Sequence, residues 1–142
     1  MLHKREQLLK RDPDNLGNAF RLAALYERSG QINRAQEMIE YIYQRTPRKI
    51  MIAPMLADLY LRMNRSSKAD EMFSDLLTNA QTVDQKTEVL IAYADFLAKT
   101  DEAAALRMYE KAVAEEGETG TRGLQALGNF RTMQARMLGA QG

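Results

Sequence analysis

Apolar residues return at helical spacing along most of the chain. In Arg21–Pro47, Leu22, Ala23 and Tyr26 share one face of a first segment, and Ala35, Ile39 and Ile42 share one face of a second. This spacing predicts helices over Leu16–Ser29 and Asn33–Arg45, the first capped by Asp14 or Asn15. Gly30 sits where a left-handed residue ends a helix, and Thr46-Pro47 stops the next, because the residue before proline disfavours the α region. Upstream, Leu2–Arg11 reads as a helix with Leu2, Leu8 and Leu9 as its apolar residues, closed by Asp12-Pro13.

The pattern then repeats. Leu22, Ala23, Tyr26 and Ala35 return as Leu56, Ala57, Tyr60 and Ala69, each 34 residues on, and Phe73 and Leu76 take the places of Ile39 and Ile42. This second helix pair spans Ile50–Ala80, with Pro54 in or near its first turn, Asn64 in place of the turn glycine, and Ser66 or Ser67 as the cap of its second helix. A third pair is stretched. Thr82-Val83-Asp84-Gln85 has capping-box form and starts a helix to about Lys99, in which Ala94 and Leu97 stand 37 residues after Ala57 and Tyr60. Its partner, Glu102–Glu115, places Ala105, Tyr109 and Ala112 at a displacement of 36. After a break at Glu116–Gly120, Thr121 can cap a last helix to about Leu138, with Leu124, Leu127, Phe130, Met133 (or Ala135) and Met137 as its stripe and Gly139–Gly142 as a fraying tail.

Small and large residues recurring every 34 positions in helix–turn–helix pairs resemble the tetratricopeptide repeat. The resemblance implies an all-α fold, a right-handed α-solenoid of antiparallel helix pairs, in one domain. Residues 1–13 would be a partial repeat or cap helix, 14–47, 48–81 and 82–117 three repeats, and 118–142 a C-terminal capping helix and tail. Leu127-Gly128-Asn129 also resembles the start of a fourth repeat, although Arg131 stands where a large apolar residue belongs. Leu16-Gly17-Asn18-Ala19-Phe20 resembles another common string of the family. That register would put the turn near Ala24, inside an unbroken helical pattern, so Gly30 and Pro47 exclude it.

In such repeats a concave groove is lined mostly by the first helix of each pair. Carried onto this sequence, the groove-facing residues are Phe20, Ala24, Glu27 and Arg28, then Met51, Asp58 and Arg62, then Ile91, Asp95 and Lys99. The lysines and asparagines with which chaperone-binding members clamp a C-terminal carboxylate are missing, because those places hold Phe20, Ala24, Pro54, Asp58, Ile91 and Asp95. Asp58–Arg62 and Asp95–Lys99 are acid-before-base pairs at i,i+4, worth about 0.3–0.5 kcal/mol each as helical ion pairs. The sharper alternative is a mixed-charge groove that pairs with a partner of alternating charge, with Phe20, Met51 and Ile91 as apolar anchors. Met38, Met55, Met63, Met72 and Met108 fall within or beside the packing pattern and read as core filler. The implied function is a non-enzymatic scaffold that holds a partner protein or peptide, within a longer array. The alternative is a structural spacer or a recruiting domain of a bacterial envelope assembly, such as polysaccharide synthesis or export machinery.

Composition narrows the chemistry. A net charge of +1 gives no bulk attraction to nucleic acid, and the first 50 residues carry +4 against −2 and −1 in the segments 51–100 and 101–142. No run of about 20 apolar residues or signal-type leader occurs, so no direct membrane contact is expected and the compartment, cytoplasmic or periplasmic, stays open. With no cysteine, disulfides and thiolate-bound metals are excluded. The single histidine, His3, lies near a terminus, and no phosphate-loop or dinucleotide motif is present, so no catalytic residue, cofactor or metal is expected. Gly117, Gly120 and Gly123 read as loop, and Glu115-Glu116 as a surface pair. Arg45, Arg48 and Lys49 form a basic knot that suits a solvated linker better than a phosphate site. Exposed ends of such an array can stack, which makes end-to-end self-association the alternative contact.

Overall fold

The computed structural model describes residues 2–141, and all regular structure among them is α-helical. The eight helices are α1 (Leu2–Arg11), α2 (Leu16–Arg28), α3 (Ile32–Arg45), α4 (Lys49–Arg62), α5 (Ser66–Asn79), α6 (Val83–Leu97), α7 (Glu102–Glu116) and α8 (Arg122–Gln141). The chain falls into two compact units, Met1–Ala69 and Asp70–Gly142, with the boundary inside α5. None of the described helices is long and apolar enough to cross a membrane.

In the first unit α1 packs on α2, α2 on α3, and α3 on α4. The 34-residue spacing holds at the helix ends: Arg11 and Arg45 close α1 and α3, and Arg28 and Arg62 close α2 and α4. α3 and α5 correspond at both ends. The turns use the expected backbone, with Gly30 at φ 79° and Asn64 at φ 57°, where a residue without Cβ, or one with a short polar side chain, is tolerated. α2 runs unbroken through Ala24, which excludes the alternative register. Leu22, Ala23, Tyr26, Ala35, Ile39, Ile42, Leu56, Ala57, Tyr60 and Ala69 are all buried. Leu2 and Leu9 pack from α1 against Leu22, Tyr26 and Ala35.

A polar clamp repeats with the same period. The Tyr26 hydroxyl donates to Glu6 at 2.8 Å, and Tyr60 donates to Glu40 at 2.9 Å. Arg34 lies 5.8 Å from the Tyr26 ring centre, and Lys68 lies 5.8 Å from that of Tyr60. Glu6, Tyr26 and Arg34 thus reappear 34 residues later as Glu40, Tyr60 and Lys68. Burial pushes both phenols above their ordinary pKa, and the hydrogen bond to a carboxylate adds to the shift. The second clamp is larger: Gln36 also donates to Glu40, and Arg65 donates to Gln36 at 2.7 Å.

In the second unit α7 packs between contacts with α6 and α8, and α6 also touches α8. The stretched spacing is closed by different devices. Thr82 accepts from the N–H of Gln85, and the Gln85 side chain accepts from the N–H of Gln81, which completes the expected capping box one residue early. Asp101 caps α7 by accepting from Ala104. Phe73 stacks on Tyr93 at 5.0 Å and packs tilted on Phe96 at 5.7 Å. Tyr109 packs on Phe130 at 5.0 Å. Ala94, Leu97, Ala105, Tyr109 and Ala112 are buried as expected, while Leu76 is half-buried.

Several local expectations are corrected. Pro54 sits just past the first turn of α4, because the helix begins at Lys49. It is exposed, so the Ile50 carbonyl that lacks its helical donor lies on the outer side of the helix. Ser66 and Ser67 lie inside the first turn of α5 and do not precede it. Glu115 and Glu116 are no exposed pair: the Glu116 side chain is only 11% exposed, accepts from the N–H of Gly123 and lies 3.8 Å from Arg122. Gly123 is helical, and a Cβ there would come within 2.8 Å of the Val113 backbone nitrogen, so α8 crosses α7 at a glycine. α8 runs to Gln141, so Gly139 to Gln141 continue the helix; Gly142 lies outside the described residues. Leu124, Met133 and Met137 are exposed, and the buried stripe of α8 reduces to Gly123, Leu127 and Phe130. Met55 is exposed, whereas Met72 is core.

Candidate functional site

The ten residues predicted to face a groove lie seven in the first unit and three in the second. In the first, Arg62 of α4 joins three of them. It reaches Asp58 of its own helix at 3.5 Å and Glu27 of α2 at 3.6 Å. The i,i+4 pair therefore forms, and the same guanidinium ties α4 to α2. All three side chains are roughly half exposed, so each contact is worth less than about 1 kcal/mol. Met51 is 57% exposed and Met55 45%, and with Pro54 they continue the Asp58–Arg62 face of α4 as a bare apolar strip. Phe20 is half-buried. Ala24 and Arg28 lie apart from these, in a shallow depression of about 160 Å³ shared with Arg5, Arg21 and Leu25.

Two cations of the basic knot between α3 and α4, Arg45 and Lys49, are engaged by their own surroundings. Arg45 lies 3.6 Å from the Tyr41 ring centre. Lys49 donates to the carbonyls of Tyr43 and Gln44 at the C-terminal end of α3 and lies over the Tyr43 ring. A cation there meets the negative end of the helix dipole and the orphan carbonyls, which accounts for the linker role.

In the second unit, Ile91, Asp95 and Lys99 come together. They line one wall of a half-open cleft of about 580 Å³ between α6 and α8. Ile91 and Asp95 lie one turn apart on α6, while Lys99, expected within the helix, falls with Ala98 in the turn that follows its end at Leu97 and completes that wall. α8 supplies the other wall with Arg122, Gln125, Ala126, Asn129 and Met133, and Tyr109 and Phe130 lie buried beneath it. The lining is mostly apolar, with polar groups at its margins.

Those polar groups are held in place. The Tyr109 hydroxyl donates to Asp95. Burial, with this bond added, pushes the phenol well above its ordinary pKa, so the hydrogen stays on tyrosine and Asp95 remains an acceptor. Arg122 pairs with Asp84 at 3.1 Å and with Glu116 at 3.8 Å, which fixes its guanidinium at the rim. Gln125 and Asn129, at i,i+4 on α8, contribute exposed carboxamides. The set can orient a ligand by hydrogen bonds around an apolar anchor. It contains no histidine or cysteine, and no group of three or more metal-ligating side chains exists among the described residues.

Sequence reasoning assigned Ile91, Asp95 and Lys99, which line one wall of the cleft, to the groove, and assigned to it none of the α8 residues that line the other. The available signal was the polar flank of α8, where Gln125 and Asn129 run beside Ala126, Phe130 and Met133 at helical spacing. That flank was hidden by treating the helix as a cap with one buried stripe. Compared with protein-family models, curated proteins and solved structures, the chain matches none.

Proposed function

We propose that the chain is a non-enzymatic scaffold of tetratricopeptide type that holds a segment of a partner protein, and that the α6–α8 cleft is the seat of its main anchor. The carrying observation is the cleft itself: a half-open apolar cavity of about 580 Å³ whose α6 wall consists of the third-repeat groove residues and Ala98. Its volume falls in the range of about 300–1,000 Å³ that suits a bound organic group, large enough for one or two bulky side chains. The carboxamides of Gln125 and Asn129 offer both donors and acceptors, which matches the unpaired main chain of an extended peptide. The repeated helix ends and the repeated Glu–Tyr–cation clamp support the tetratricopeptide reading, with antiparallel pairs coiling right-handed.

The test is affinity capture by the whole chain, followed by the same capture with Ile91→Asp and Met133→Glu, two cleft-lining substitutions outside the buried core. Circular dichroism should show unchanged helix content, and a partner captured by the native chain should bind at least about tenfold more weakly to both variants. Equal capture by native and variant chains would remove the cleft from the function and leave a structural spacer as the better reading.

A further inference from the structure

We infer that the depression formed by Arg5, Arg21 and Arg28 in the first unit is a binding site for a phosphate-class oxyanion. This goes beyond the proposed function and stands whether or not the α6–α8 cleft takes a polypeptide. The argument begins with spacing. Arg21 and Arg28 lie seven residues apart on α2 with Ala24 and Leu25 between them, so both side chains border one depression on the same helical face. α1 brings Arg5 to the same depression. Its position is fixed by Asn18, a side chain only 2% exposed, whose amide donates to the Arg5 carbonyl at 3.0 Å and accepts from its guanidinium at 3.4 Å.

No carboxylate neutralises this cluster. Among the described residues, Arg5, Arg21 and Arg28 form no ion pair, and none of the five residues that line the depression is acidic. The nearby acids are committed elsewhere, Glu6 to the Tyr26 hydroxyl and Glu27 to Arg62. The contrast with the other basic cluster is direct: Arg45 and Lys49 are absorbed by tyrosine faces and helix carbonyls, while these three arginines are presented together. The first unit as a whole carries thirteen Lys and Arg against seven Asp and Glu, a formal +6, so the local cluster sits in a field that attracts anions.

Three planar guanidinium forks match a tetrahedral oxyanion, which can accept several parallel N–H bonds, better than they match a single carboxylate. The depression holds about 160 Å³, below the range of sites for whole organic ligands, so it fits a charged group and not a nucleotide. Both a phosphorylated side chain and free phosphate present that group.

The experiment is a titration of the whole chain followed by the arginine Nε–H resonances. The probes are inorganic phosphate, N-acetyl-O-phosphoserine methylamide and its unphosphorylated counterpart. Arg5, Arg21 and Arg28 should shift with the phosphorylated probe, and the unphosphorylated one should leave them in place. The double variant Arg21→Gln with Arg28→Gln, both exposed positions, should lose about tenfold or more in affinity. A control changing Arg45→Gln and Arg48→Gln should retain it. Affinity for the phosphoserine probe should weaken below about pH 6, as the dianion takes up a proton. Tighter binding of that probe than of inorganic phosphate assigns the site to a phosphorylated polypeptide, and the reverse order assigns it to the free ion. Unchanged titration in the Arg21, Arg28 variant, or no response of the three arginines at millimolar probe, would overturn the assignment.

Discussion

The two units solve the same packing problem with different materials. The first, with a formal charge of +6, keeps the 34-residue period and joins its helices with a clamp that repeats at that period, Glu6–Tyr26–Arg34 and Glu40–Tyr60–Lys68. The second carries seven Lys and Arg against twelve Asp and Glu, a formal −5. It departs from the strict period: tyrosine–carboxylate bonds persist at Tyr93–Asp70 and Tyr109–Asp95 but off that spacing, and they are joined by aromatic contacts and by caps that do not repeat, Phe73 on Tyr93 and Phe96, Tyr109 on Phe130, and Glu116 at the start of α8. A repeat can drift in length once its packing no longer depends on groups arriving at fixed intervals. The drift coincides with the larger cleft, which opens beside α6, the helix at which the spacing becomes 37.

The same contrast holds for charge. The net value of +1 for the chain conceals two units of opposite sign. The two end helices are nonetheless both basic. α1 carries Lys4, Arg5, Lys10 and Arg11 against Glu6, and α8 carries Arg122, Arg131 and Arg136 with no acid.

The comparison is broken most sharply at Phe73. If aromatic packing carries the second unit, Phe73→Ala should lower stability by about 3–5 kcal/mol, read as the shift of the denaturant midpoint at constant slope. A loss below about 1 kcal/mol would mean that the ring contacts are incidental. Gly123→Ala comes next. The added methyl meets the α7 backbone and not a flexible side chain, so α8 must shift, at about 1–3 kcal/mol. The equivalent change at exposed Gly128, where nothing lies within 4 Å, should be neutral or slightly stabilising because alanine is the better helix former.

The clamps provide the finest test. Tyr26→Phe and Tyr60→Phe should each cost about 0.5–1.5 kcal/mol, and near-equal losses would support equivalence of the two clamps. The phenols also set an alkaline limit. Burial first, and the bond to Asp70 second, raise Tyr93 to about 12, while Tyr26, Tyr60 and Tyr109 are raised by burial and by Glu6, Glu40 and Asp95. Because the unfolded chain ionises first, near pH 10, stability should be intact below that pH and fall as pH rises towards 12 and beyond. Phenolate absorbance of Tyr26, Tyr60, Tyr93 and Tyr109 should then appear above the ordinary value. A single transition near pH 10 in the folded chain would contradict the buried hydroxyl–carboxylate bonds.

The helices were legible because their signals are local. A 3.6-residue apolar period, Gly30, Asn64 and Thr82 act on neighbours within one or two turns, and the helix ends beside them follow within a few residues. Packing positions were legible for a related reason: the period copies one solution along the chain, so Leu22 and Leu56 are buried for the same cause. The clamp was present in the sequence as the parallel spacing of Glu6 and Glu40, yet a surface-looking glutamate announces no partner until the tyrosine that meets it is placed.

What only the tertiary structure decided is which exposed-looking residues converge. Glu27, Asp58 and Arg62 meet because α2 and α4 both pack on α3, and Arg5 joins Arg21 and Arg28 because buried Asn18 holds α1 against α2. Ile91 and Asp95 could be assigned to one face of α6 from spacing alone, while Lys99 reaches the same wall from the turn after that helix. The opposite wall on α8 depends on how closely Gly123 lets that helix approach α7. Sequence periodicity determines which face a residue takes on its own helix. The distance and angle between helices determine what that face meets, and these depend on side-chain volumes summed over the whole contact.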